Sequence, residues 1–220
     1  MSFVTIETEL TTAFTDLILA IICVTAIVFF VKSDSFRLEK QRITVWTAAF
    51  GCLTIAALLG FFAHGFEMSD ATKQWLWHPL YLCLGLTVSL FAAGVLIDLK
   101  GAPVNRAVIA GLMVAGLCFY GVTIVFPDNF IVFILYQAVA MLFALSAYLY
   151  LWWRYRKKEF VLMTAGIVVS MIAAAIQASG PITMTLIWEF DHNGLFHIVQ
   201  MAGIYLLTVG VLPPRDFAGV

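Results

Sequence analysis

The chain has 220 residues, of which 63% are hydrophobic and 11% charged, and its mean hydropathy is +1.00. That composition excludes an ordinary soluble domain, and a formal net charge of −1 offers no basic surface for nucleic acid. The sequence therefore predicts an all-α integral membrane protein whose surroundings, and first partners, are membrane lipids.

A bilayer-spanning helix needs about 20 mostly apolar residues. The chain divides into seven such runs, approximately 12–31, 43–65, 75–97, 107–126, 130–153, 160–179 and 193–212, which predicts a single seven-transmembrane helix bundle over 1–220. Ahead of the first run, "MSFVTIETEL" carries Glu7 and Glu9 and no basic residue, so it is not read as a cleavable signal and the first span is retained. Asp16 lies just inside that span. The second span ends in "GFFAH", which puts His64 at its edge, and the third opens with "QWLWHPL", where His78 stands among aromatic residues of the kind that form an interfacial belt. At the far end of the third span, Asp98 beside Lys100 is expected in solvent, and Trp46, Trp152 and Trp153 are expected as belt residues at the same boundary. "RYRKKE" closes the fifth span as a basic anchor able to meet anionic headgroups. Gln137 and Gln177 read as interhelical hydrogen-bonding amides. The single cysteines Cys23, Cys52, Cys83 and Cys118, one in each of four spans, form no metal-binding or disulfide pattern.

Of the twelve Lys and Arg, all but Lys73 fall on one side of a seven-span chain. Basic loops are retained in the cytoplasm, so the amino terminus is expected outside and the carboxyl terminus inside. All four histidines then gather at the outer end, together with Asp16, Glu67, Asp70, Asp128, Glu189 and Asp191. The densest part is "WEFDHNGLFHIVQMAGIYLL", from Trp188 to Leu207, which leads into the seventh span. An ionisable group within a span is costly unless it faces protein or a watered cavity, so His64 and His197 mark a functional site.

Neutral imidazole is the commonest zinc ligand, and a catalytic zinc takes three protein ligands and one water. His64, His78, His192 and His197 are the candidate metal ligands. His192 and His197 are five residues apart, about 140° around a continuous helix. Both reach one ion only where His192 precedes the helix, in the lead-in that Asn193 and Gly194 make plausible. Asp191 and Glu189 are the candidate catalytic groups, as acceptors that fix an imidazole tautomer or as the base that activates water. Gln200, three residues beyond His197 and so on nearly the same face, is placed to orient the ring or to touch a bound group, as is Asn193.

The segment "HNGLFHIVQMAGIYLL", with "GFFAH", resembles the seven-span superfamily of alkaline ceramidases, adiponectin and progestin receptors and related membrane hydrolases, and is nearest its bacterial members. The resemblance implies a buried zinc ion (Zn2+) with three histidine ligands, in a pattern that places S-x-x-x-H at the end of the second helix, an aspartate near the start of the third and H-x-x-x-H at the start of the seventh. Here His64 and His197 match, Gly60 stands at the serine position, Asn193 at the first histidine of the seventh helix, and the expected aspartate is absent from the third apolar run, 75–97, where His78 stands nearby. His78 or His192 would complete the ligand set. The function expected from the resemblance is zinc-dependent hydrolysis of an amide or ester bond in a lipid-like substrate, in a multi-pass protein of the bacterial inner (plasma) membrane.

Two rivals stay open on the residues themselves. A pair of facing histidines, His64 or His78 with His197, fits haem ligation in a non-catalytic metal- or haem-binding protein. The outer histidines also suit a receptor-like or transporter-like protein that binds a solute without chemistry. A carboxylate relay through the span centres, as an ion pump needs, is missing, and the seventh span lacks the lysine of a retinal pigment. The oligomeric state is not encoded in any motif.

Overall fold

The structure is a computed structural model that describes residues 2–32, 40–126, 131–180 and 182–212. Arg37, Asp128 and Arg215, three of the charges considered above, lie outside the described residues. The elements are α1 (Glu7–Lys32), α2 (Lys40–Gly65), α3 (Asp70–Lys100), α4 (Arg106–Val125), α5 (Ile131–Tyr155), α6 (Lys158–Ala178), β1 (Met184–Thr185), β2 (Glu189–Phe190) and α7 (His192–Val211). The seven helices follow the seven apolar runs in order, and each is long and apolar enough to cross a membrane. In hydrocarbon only an intact helix satisfies its own backbone groups, so a run of this length has no competing conformation.

The ends show what hydropathy misses. α3 outruns its apolar stretch at both ends because Ser69 caps it, its side chain accepting from Thr72 N, and Gly101 stops it in the left-handed region at φ 62°. β1 and β2 pair antiparallel, Met184 opposite Phe190 and Thr185 opposite Glu189. Two-residue strands are too short to leave an alternation pattern, so the hairpin was not legible in the sequence.

α1, α2, α3, α5, α6 and α7 pack in a ring that closes by the contact of α7 with α1. α4 lies outside it against α3, with only Gly116 and Phe119 of its residues buried. Close approach within the ring rests on small residues. A Cβ at Gly203 of α7 would stand 2.6 Å from Ser170 Oγ of α6, so alanine there would require the Ser170 side chain to shift.

The apolar core fills the end of the bundle opposite the histidines, around Phe30, Trp46, Phe91, Tyr148 and Phe160. Trp46 and Phe91 meet edge to face at 5.6 Å. A buried polar cluster sits among them. Arg42 Nε donates to Asp98 Oδ1 at 2.5 Å, Arg42 Nη2 donates to the Val211 carbonyl at 2.7 Å, and the Tyr148 hydroxyl donates to Asp98 Oδ2 at 2.7 Å. This ties α2, α3, α5 and α7 together. Two expectations are corrected here. Asp98 is 1% exposed, paired with Arg42 rather than solvated beside Lys100, and Trp46 is turned fully into the core instead of standing in a belt. Position near a helix end gives depth but not rotation about the helix axis, and rotation decided both.

Candidate functional site

A cavity of about 570 Å³ opens within the ring at the histidine end. On α2 its wall runs from His64 to Trp46, eighteen residues, or about 27 Å at the α-helical rise. Every ring helix contributes to the lining and α4 does not. The polar lining is concentrated toward the mouth, in Asp16, His64, Asn193, His192 and His197, and the depths are lined by residues such as Leu53, Phe91, Ile204 and Leu207. A volume of this size, mostly apolar with a few convergent polar groups, is the usual form of a small-molecule site.

α1 organises the mouth. Glu9, Thr12 and Asp16 stand at i, i+3 and i+7 and so share one face of the helix. Thr12 Oγ1 donates to Asp191 Oδ1 at 2.8 Å. Thr15 Oγ1 donates to the Thr12 carbonyl at 2.8 Å and lies 3.0 Å from His197 Nδ1. His197 Nε2 lies 3.2 Å from Asp16 Oδ1, with Asp16 5% and His197 8% exposed. A hydroxyl has one hydrogen. With that of Thr15 directed to Thr12, its oxygen accepts from His197 Nδ1–H, and one proton then completes the contact between Nε2 and the Asp16 carboxyl. Asp16 Oδ2 accepts no hydrogen bond among the described residues. Gly60 explains how the carboxyl fits: a Cβ there would lie 2.4 Å from Asp16 Oδ2. The aspartate of α1 occupies the space next to α2 that a serine side chain at this position would need.

His64 turns its Nδ1 to Glu9 Oε2 at 2.7 Å and its ring edge to Trp77. His192 is the first residue of α7 rather than part of an unwound lead-in, because Asp191 caps the helix, accepting from Gly194 N at 2.8 Å. His192 and His197 therefore diverge around one helix, and His192 Nδ1 is buried without a partner among the described residues. His78 lies beyond the cavity, in ring contact with Trp75 and Tyr120.

The two carboxylates singled out in the sequence do not line the cavity. Asp191 Oδ1 receives Thr12 and Gly194, and Oδ2 receives Asn193 Nδ2 at 3.2 Å. Burial alone would raise the pKa of Asp191. The Gly194, Thr12 and Asn193 hydrogen bonds and the His192 imidazole outweigh it and hold the carboxyl below its ordinary range. Glu189 is exposed, and its backbone pins β2 to α1, with its carbonyl accepting from Thr11 Oγ1 at 2.8 Å and its N–H donating to Glu7 Oε1 at 3.2 Å. Gln177 Nε2 donates to Asn193 Oδ1 at 3.4 Å. Gln200 lines the cavity but donates to Ser170 Oγ at 3.1 Å rather than to His197, and its Oε1 is buried without a partner among the described residues.

Among the described residues no group of three or more His, Cys, Asp or Glu side chains converges to hold a metal ion. His64 and His197 share the cavity wall, but their neighbours are Glu9, Asp16 and Thr15; of the axial pairs considered for haem, His64 with His197 meets those neighbours, and His78 stands outside the cavity against Trp75 and Tyr120. The residues in this arrangement do not fit a three-ligand zinc site. The residue that sequence reasoning undervalued is Asp16, and the run "TTAFTD", with two threonines and an aspartate on the helix face that reaches α7, is the signal that would have found it.

No curated protein and no solved structure matches the chain. The profile of a family described as a family of unknown function, DUF6962, matches residues 11–216, a span that takes in all seven helices except the first turn of α1 and every residue lining the cavity. The chain is a member of the DUF6962 family.

Proposed function

We propose that this chain is a multi-pass membrane protein that binds a lipid-like amphiphile, with the polar head among Asp16, His64 and His197 and the apolar tail in the depth of the bundle. The observation that carries the reading is the cavity, polar at one end, apolar below, and nearly as long as the hydrocarbon core of a bilayer is thick, about 30 Å. The receptor-like or transporter-like alternative thus has the stronger support. The basic residues Lys40, Arg42, Lys100, Arg106, Arg154 and Lys158 lie at the end away from the histidines, which supports a cavity mouth outside and a carboxyl terminus in the cytoplasm of a plasma membrane such as the bacterial inner membrane. A reporter fused after Val220 that proves to be exterior refutes that orientation.

Native mass spectrometry of protein released from lipid nanodiscs tests the binding. One retained amphiphile per chain is expected, and Ala140→Phe, which places a ring in the cavity, removes it. Equal occupancy in the filled variant refutes the reading.

Hydrolysis of an amide or ester in that amphiphile is the second reading. It is favoured by the Asp16–His197 contact, since a carboxyl and an imidazole sharing a proton beside a cavity are the parts that acid–base catalysis uses. The likeness of "GFFAH" and "HNGLFHIVQ" to the ceramidase and adiponectin-receptor superfamily supports the same reading. Turnover of N-acyl or O-acyl lipids that is lost in His197→Ala would establish it. Metal analysis of the same samples would show whether zinc accompanies the activity. Turnover that persists unchanged in the variant ends it.

A further inference from the structure

Three observations define the charge and hydrogen-bonding character of the cavity. Among the described residues no lysine or arginine lines it, Asp16 is its one carboxylate, and Asp16 Oδ2 accepts no hydrogen bond. Gln200, 8% exposed and one turn deeper than His197 on α7, presents in Oε1 a second acceptor unused among the described residues, and His192 Nδ1, buried at the mouth and equally without a partner there, is an acceptor in the tautomer that carries its proton on Nε2. Around the mouth stand Glu7, Glu9, Glu67, Asp70, Glu189 and Asp191, against Lys73 as the one Lys or Arg among the described residues of that end. Unused acceptors call for a ligand that donates. A low-dielectric wall with carboxylates and no lysine or arginine favours a cation and repels an anion.

We infer that the head of the amphiphile is a protonated primary amine, held by Asp16 Oδ2 and reaching toward Gln200 Oε1, with its alkyl chain in the apolar depth of the cavity. An ammonium group carries three N–H donors and no acceptor, the complement of the acceptors Asp16 Oδ2 and Gln200 Oε1. Its charge replaces the shared proton as the partner of the Asp16 carboxylate, and His197 then keeps its Nδ1–H on Thr15. A phosphate or carboxylate head would meet Asp16 and the acidic rim with no lysine or arginine among the described lining residues to receive it. The inference rests on the binding reading above and names its ligand class.

The test uses the full chain in phosphatidylcholine nanodiscs with three probes of equal tail length: hexadecylamine, hexadecanol and hexadecanoic acid. Binding is read from ligand-dependent thermal stabilisation, which grows with ligand concentration over Kd. The amine is expected to bind at least about tenfold more tightly than the alcohol, a difference of about 1.4 kcal/mol, and the acid more weakly than either. Asp16→Asn removes the preference for amine over alcohol, read as the ratio of the two affinities within the variant, and Gln200→Leu reduces that ratio several-fold. Acid bound as tightly as amine, amine and alcohol bound equally, or a preference that survives Asp16→Asn overturns the inference while leaving the cavity a lipid site. Failure of all three probes to bind overturns the binding reading itself. If Asp16→Asn does not fold, the ranking of the three probes and the Gln200→Leu variant decide.

Discussion

Gly60 offers the sharpest check on the geometry of the site, because α2 carries its own control. Gly60→Ala places a Cβ 2.4 Å from Asp16 Oδ2, 2.9 Å from its Cγ and 3.1 Å from Oδ1, and Gly51→Ala on the same helix meets nothing within 4 Å. Replacing a mid-helix glycine with alanine stabilises by about 0.5–1 kcal/mol. At Gly51 that gain is expected in full. At Gly60 the carboxyl must leave its place, and it is buried and held to His197, so about 1–3 kcal/mol of overpacking opposes the gain. The backbone contribution is common to both, so Gly60→Ala should be less stable than Gly51→Ala by about 1–3 kcal/mol. Reversible unfolding in mixed micelles measures the difference. Adding Asp16→Ala removes the obstructing group, and the two sites should then couple by about 1–3 kcal/mol in a double-mutant cycle. Equal stability of the two alanine variants, or a Gly60→Ala cost that survives Asp16→Ala, would refute the packing of Asp16 on α2.

At the opposite end, Arg42→Met or Asp98→Leu alone leaves a buried charge without its partner and should destabilise by about 3–5 kcal/mol, with the double variant recovering much of the loss in the same unfolding assay. Losses that simply add would show that the two groups do not interact. At α7, Asp191→Ala should cost about 0.5–2 kcal/mol as a lost N-cap. Because the folded-state pKa of Asp191 is depressed, its contribution is complete above the unfolded carboxylate range and is lost as pH falls through the folded value, so the acid limb of the stability profile should flatten in Asp191→Asn. A limb unchanged by that substitution would mean that Asp191 does not titrate with folding.

The number, order and approximate ends of the helices were determined by the sequence alone, because each run of apolar residues closes its own backbone hydrogen bonds regardless of its neighbours. The gathering of His64, His192 and His197 at one end followed from the same local rule, since depth is counted along the chain. The partner of each side chain did not follow. When lipid and protein interior are both apolar, hydrophobic periodicity no longer reports which face of a helix turns inward. Thr15 meets His197 across 182 positions of sequence, and Arg42 meets Asp98 across 56. Asp16 became part of the cavity wall through the rotation of α1 against α2 and α7, and Asp191, prominent in the sequence, was turned by the same packing into a helix cap. Those rotations are set by long-range contacts between small residues and buried polar groups, and only the assembled bundle contains them.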